Sequence, residues 1–285
     1  MRSIAKLMKD WQFTGPNGVT TAVELPHTWN ARDGQDGGND YWRGCCTYCT
    51  RFAAPVYDPA QQQVWLQFEG VNASAAVLLN GQQLCTHDGG YSTFRAEVTE
   101  LLQAENQLTV RVDNSINDRV YPQKADFTFY GGIYRDVSLL VVNKNHIALG
   151  HFGDIGVKIT PALQENNADI QVETLVEGSG TVTVELLDAE GNSVARGEGE
   201  KASLHLDAPH LWNGIKDPYL YTCIVRLLQD GQPVDEVTTR VGLRSFSVDA
   251  KKGFFLNGRP YSPSRCVPPS GPQGSGQRHH PGDAR

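Results

Sequence analysis

The chain has no run of Lys or Arg, and its formal net charge is −7. A basic surface for nucleic acid is therefore excluded as a working hypothesis. No apolar run approaches the roughly 18–20 residues that a bilayer-spanning helix needs, so no membrane partner is expected. The opening MRSIAKLMKDWQF has no apolar signal core, which points to a cytoplasmic location rather than secretion. Cysteine is sparse, with six residues at Cys45, Cys46, Cys49, Cys85, Cys223 and Cys266. An adjacent Cys45–Cys46 pair makes a poor disulfide design and fits a reduced compartment. Cys46 and Cys49 form a lone C-x-x-C, and a structural zinc would need two further ligands. The stretch reads instead as a strand with buried sulphurs. Helix-type periodicity is rare while glycine is plentiful, at 29 of 285 residues, so an all-β protein with room for two domains is expected.

What is present is a rhythm of strands every 8–12 residues, the pattern of a sandwich. QVWLQFEGV places Val64, Leu66 and Phe68 on one face, and QLTVRVDNS does the same with Leu108, Val110 and Val112. AAVLLNGQQL crosses Asn80-Gly81, the strongest short hairpin signal. Residues 1–143 are read as a jelly-roll sandwich and 144–247 as an immunoglobulin-like sandwich. Turns are expected at Glu190-Gly191-Asn192 and at Asp230-Gly231. Residues 248–261 read as a hairpin turning at Asn257-Gly258. Residues 262–285 hold five Pro, four Gly and the single aliphatic Val267, too little apolar surface to offset ordering entropy, and are expected to be disordered.

LPHTWN (25–30), GGNDYWRG (37–44), FEGVNASAAVLLNG (68–81), HDGGYSTF (87–94), VDNS (112–115) and DFTFYGGIYRDV (126–137) together resemble glycoside hydrolase family 2, and within it the β-galactosidases. Leu211-Trp212, DPYLY (217–221), VGLRSFSVD (241–249) and GFFLNGRPY (253–261) continue the likeness in family order. The resemblance implies a galactose-binding-like jelly roll, an immunoglobulin-like sandwich and then a catalytic (β/α)₈ barrel. A retaining glycosidase needs two carboxylates about 5–5.5 Å apart, and in this family both lie on the barrel. A barrel takes roughly 250 residues, whereas residues 262–285 contain no Glu. The barrel is therefore expected to be missing, no catalytic residue is assigned, and the chain is expected to be an inactive N-terminal fragment of a retaining β-galactosidase.

The resemblance also implies that Asp126 touches a galactose hydroxyl and a sodium ion in the intact enzyme. A carboxylate is a strong acceptor for such contacts. Asn39 and Asp40 are carried over, more loosely, to the same pocket. No cofactor is expected in this chain, although intact family enzymes use Mg and Na ions. The implied partners are a galactoside, weakly held, the missing barrel and further copies of the parent enzyme. Shifting the reading frame of the tail by one base permits P-L-R-G and further family-like text, so 262–285 reads as out-of-frame translation. A disrupted gene and a base-calling error both remain open.

Other features carry weaker readings. KNHIALGH (144–151) is expected to be solvated linker, and His279-His280 an accident of frame. Asn72-Ala73-Ser74 is a glycosylation sequon without a secretory route. Tyr41, Trp42, Trp65, Phe68, Tyr219 and Tyr221 are expected mainly to pack, and His87 to bond within its turn. The alternative function is a free-standing carbohydrate-binding module.

Overall fold

The computed structural model describes residues 1–31, 41–122 and 128–262. The chain is all-β: among the described residues there are two short 3₁₀ turns and no α-helix, and no helix is long and apolar enough to cross a membrane. Two compact units separate near Val142, one formed by Ser3–Val141 and the other by Met1–Arg2 with the residues after Val141.

The first unit contains β1 (Ser3–Lys6), β2 (Trp11–Thr14), β3 (Thr20–Val23), β4 (Cys45–Ala53), β5 (Gln62–Phe68) and β6 (Val71–Asn72). There follow β7 (Ser74–Leu79), β8 (Gln82–Asp88), β9 (Phe94–Glu97), β10 (Glu105–Asp113), β11 (Gly132–Ile133) and β12 (Val137–Asn143). A four-stranded sheet runs β1-β12-β5-β9 and a six-stranded sheet β3-β2-β4-β10-β7-β8. This is the jelly-roll sandwich. Alternation places Val64, Leu66 and Phe68 of β5, and Leu108, Val110 and Val112 of β10, fully inside. β12 departs from alternation, with residues on both its faces buried from Val137 to Val142. Strand alternation also corrects the expectation for the cysteines. Cys46 points into the core, but Cys45 is exposed and Cys49 half-buried, because they lie on the opposite face of β4. Burial pushes the Cys46 thiol up to about 12, so it is an inert apolar filler.

The second unit adds β13 (His146–Ile147), β14 (Val157–Leu163), β15 (Asn167–Thr174), β16 (Val176–Glu177), β17 (Thr181–Leu187) and β18 (Ser193–Glu198). It continues with β19 (Lys201–Asp207), β20 (Tyr221–Gln229), β21 (Gln232–Val241), β22 (Phe246–Asp249), β23 (Gly253–Leu256) and β24 (Arg259–Pro260). Sheets β14-β15-β19 and β18-β17-β20-β21 make the immunoglobulin-like sandwich. Ile170, Leu186, Cys223 and Leu227 lie fully inside it. The 144–151 segment is not solvated linker. Its β13 pairs with β16, and His146, Ile147, Ala148 and Leu149 are buried. The reason is a tether: buried Asp235 accepts the Ile147 N–H at 2.8 Å and the Arg2 guanidinium at 2.5 and 2.8 Å.

The hairpin around Asn257-Gly258 is the second half of a three-stranded sheet, β22-β23-β24. Asn257 Nδ2 donates to the Trp212 carbonyl at 3.0 Å and to Asn213 Oδ1 at 2.8 Å. The Arg244 guanidinium lies 5.0 Å over the Trp212 ring.

Candidate functional site: the loop rim of the jelly roll

Asp126, Asn39 and Asp40 all lie outside the described residues, as does Cys266 and the tail from Pro263 onward. What the structure describes is the pair of loop bases on which they sit. The segment LPHTWN runs beside the glycines of FYGGI. The His27 N–H donates to the Ile133 carbonyl at 2.8 Å, the Trp29 N–H to the Gly131 carbonyl at 3.3 Å, and the Thr28 hydroxyl to the same carbonyl at 2.8 Å. Glycine is required at both positions. A Cβ on Gly131 would overlap the Trp29 indole, and Gly132, at φ +140°, lies against the His27 carbonyl and the Tyr48 hydroxyl.

Three buried asparagines then clamp these segments. Asn30 Nδ2 donates to the Trp42 carbonyl at 2.9 Å, and its Oδ1 accepts the Gly131 N–H at 2.8 Å. The same oxygen accepts from Asn114 Nδ2 at 3.1 Å. Asn114 also donates to the Phe129 carbonyl at 3.1 Å and accepts the Gly44 N–H at 2.9 Å. Asn72, the sequon residue, is 5% exposed and donates to the Tyr130 carbonyl at 2.7 Å. Its amide is committed to the fold. Behind them, His27 Nδ1 lies 2.7 Å from the Tyr48 hydroxyl. Burial holds the His27 pKa below its ordinary value and lifts the Tyr48 phenol well above its own, so the pair is neutral near pH 7.

Beside the clamp opens a cleft whose walls include Arg43, Asn72, Tyr91, Asn114, Ser115, Asn117, Tyr121 and Phe129. Its described walls enclose about 30 Å³, room for one or two waters. Arg43 packs over the rings of Phe129 at 4.6 Å and Tyr41 at 4.8 Å, and it donates to the Tyr41 hydroxyl. The rim is tied by Asp88, which accepts from Arg119 at 2.9 Å and from Ser74 at 2.5 Å. Both bonds, Arg119 first, hold the Asp88 carboxyl below its usual range. Tyr134 donates to the Gly90 carbonyl. His87 bonds within its own turn, 3.1 Å from the Gly89 carbonyl and from Ser92 Oγ, and it stacks on Phe94. Of the aromatics read as packing groups, Phe68 and Tyr221 are buried, Tyr41, Trp65 and Tyr219 half-buried, and Trp42 exposed. Among the described residues, no three His, Cys, Asp or Glu side chains gather where they could hold a metal ion.

The rim can now be set beside known proteins. The model for the galactose-binding domain-like region of glycosyl hydrolase 2 matches residues 38–162, and the model for glycosyl hydrolases family 2 matches 151–244. The chain belongs to glycoside hydrolase family 2. A curated β-glucuronidase of Bacteroides fragilis is 34% identical over 89% of this chain and 39% of its own length. A β-galactosidase of Bacteroides ovatus is 33% identical over 88% of this chain and 32% of its own. The family 2 chain thus spans well under half the length of these relatives. The crystal structure of an FMN-binding β-glucuronidase from Facaelibacterium prausnitzii superposes with a TM-score of 0.86 at 36% identity, covering 91% of this chain and 42% of that one.

Reading the family 2 motifs as text missed Arg43, Asn30, Asn72 and Asn114. A signal was there: LPHTWN, FEGVNAS and VDNS each carry an asparagine, and all three are buried at the rim.

Proposed function

We propose that this chain is the non-catalytic, sugar-facing portion of a cytoplasmic retaining β-glycosidase acting on terminal β-D-galactosides or β-D-glucuronides. By itself the chain turns over neither. Galactosides were the expectation from the motifs. Relatives bearing either name match over similar spans, which supports keeping both sugars. The observation that carries the reading is the asparagine clamp. Asn30 and Asn114 bind the base of the loop holding Asn39 and Asp40 to the base of the loop holding Asp126. Two loops with sugar-binding groups are thereby presented together. The described cleft walls supply amides, rings and a guanidinium, which bind and orient, whereas bond cleavage with retention calls for a pair of carboxylates. Those carboxylates, the Mg and Na ions and the homo-oligomeric contacts belong in this reading to the intact enzyme, with Asp126 contributing to sugar and sodium.

The test is a chimera in which residues 1–261 replace the matched segment of the Bacteroides fragilis β-glucuronidase. The chimera is expected to hydrolyse a chromogenic β-glycoside with retention, and Asp126→Asn to lower its kcat/KM about 100-fold or more. The isolated chain is expected to show no turnover. Hydrolysis by the purified chain, free of full-length enzyme, overturns the reading.

The alternative, a free-standing carbohydrate-binding module, is favoured by one observation: every residue lining the cleft belongs to the jelly-roll unit. Millimolar or tighter galactose or lactose binding by the isolated chain would favour the module.

A further inference from the structure

We infer that the cleft beside the asparagine clamp is a carboxylate pocket for an acidic saccharide, with Arg43 as the group that selects the charge. The inference rests on the rim being sugar-facing and adds which sugar class it takes.

Arg43 is half-buried in the cleft wall and forms no ion pair among the described residues. That is unusual for a partly desolvated guanidinium, which normally finds a carboxylate. Its side chain is not loose. Two aromatic faces and the Tyr41 hydroxyl fix its plane, leaving the other N–H groups of the fork aimed at solvent or ligand. No Asp or Glu lines the cleft, so nothing on its described wall competes for that charge. The nearest printed acid pair is closed on itself, Asp88 being held by Arg119 and Ser74.

The remaining wall groups agree. The amides are already used: Asn114 in the clamp, Asn72 on Tyr130, and Asn117 on the Ser115 carbonyl and the Arg119 and Val120 N–H groups. They stiffen the wall rather than adapt to a ligand. The uncommitted Ser115 hydroxyl adds a donor beside Arg43. A space that holds one or two waters accepts a carboxylate but not a hexose ring. The ring would rest outside, against Tyr91 and Tyr121, which are 54% and 76% exposed. Planar guanidinium and planar carboxylate match as a bidentate pair, and preorganisation keeps the entropy loss small.

The experiment is an NMR titration of the intact 285-residue chain with sodium D-glucuronate, D-glucuronamide, D-galactose and sodium acetate. Glucuronate is expected to shift the Arg43 Nε–H and the Asn114–Asn117 amides, at least about ten-fold more tightly than the neutral amide or galactose. A ten-fold difference is about 1.4 kcal/mol. Arg43→Met is expected to abolish that preference, and Arg43→Lys to keep part of it. Because Arg43→Met also removes packing on Phe129, the comparison of glucuronate with glucuronamide on the unaltered chain stands independently. Equal binding of acid and amide, or unchanged glucuronate binding in folded Arg43→Met, overturns the carboxylate pocket and leaves the sugar-facing rim intact. Acetate binding as tightly as glucuronate overturns the saccharide part. If no saccharide perturbs the rim, both the pocket and the sugar-facing reading fall.

Discussion

Asn30, Asn72, Asn106 and Asn114 are buried in the jelly-roll unit, whereas the buried polar side chains described in the immunoglobulin-like unit are His146, Thr174 and Asp235. An amide offers two donors and an acceptor with two lone pairs. One buried asparagine can therefore join backbone segments that no strand ladder connects. The jelly roll uses this where long loops leave and return. In the other unit most connections are tight hairpins, such as Asp230-Gly231 between β20 and β21, and the ladder itself satisfies the backbone. Buried polar groups thus mark the place where a fold must hold loops for another purpose.

The comparison can be broken most directly at its exception, the buried Arg2–Asp235 pair. Arg2→Met leaves a fully buried carboxylate short of its cation, and chemical denaturation is expected to show a loss of about 3–5 kcal/mol in the immunoglobulin-like unit. Arg2→Met with Asp235→Leu should recover most of it. A loss below about 1 kcal/mol for the single variant would mean this unit does not depend on its buried charge.

Next in size is the clamp. Asn114→Ala removes three side-chain bonds and strands the Gly44 N–H, so a loss of about 3 kcal/mol is expected. Tryptophan fluorescence should follow it, because Trp11, Trp29, Trp42 and Trp65 all lie in the jelly roll. An unchanged midpoint would remove the distinction between the two units.

A smaller effect separates them by pH. Burial lowers the pKa of His27, and burial likewise dominates at His87. The folded jelly roll then binds fewer protons than the unfolded chain, so this contribution is present above about pH 6.5 and is lost as pH falls toward the lowered folded values. His205 in the other unit is raised, first by its bond to Asp169 and then by Asp207. Its contribution is full below about pH 6.5 and is lost as pH rises through the raised folded value. Between pH 7.5 and 5.5, thermal melts should show the jelly roll weakening while His205 favours its own unit. His27→Gln and His205→Gln should each flatten one trend. Smallest of all, Lys158→Ala breaks an ion pair whose partners are 70% and 48% exposed. It should change the midpoint by no more than about 0.5 kcal/mol, and a larger effect would show that surface charge matters here as much as buried amides.

Much of the fold was legible. Asn80-Gly81, Asp230-Gly231 and Asn257-Gly258 all adopt positive φ at both residues, the geometry of the two-residue hairpin turn that such pairs favour. Turn chemistry of this kind is local. Less was legible where long-range contact overrides polarity. KNHIALGH looks like solvated text, yet Asp235 captures the Ile147 N–H from 88 residues away and the segment folds inward. The candidate site was legible as family motifs but not as geometry, and its three proposed sugar and ion residues lie outside the described residues.

The sequence by itself determined strand positions, hairpin turns and family, because side-chain direction along a strand has a period of two and a tight turn depends on adjacent residues alone. Only the tertiary structure decided that Asn30 would join Asn114 and Gly131, 84 and 101 residues away, and that Arg43 would be left in a cleft without an acid. Hydrogen-bond partners that distant are brought together by the stacking of two sheets, and no local pattern encodes that encounter.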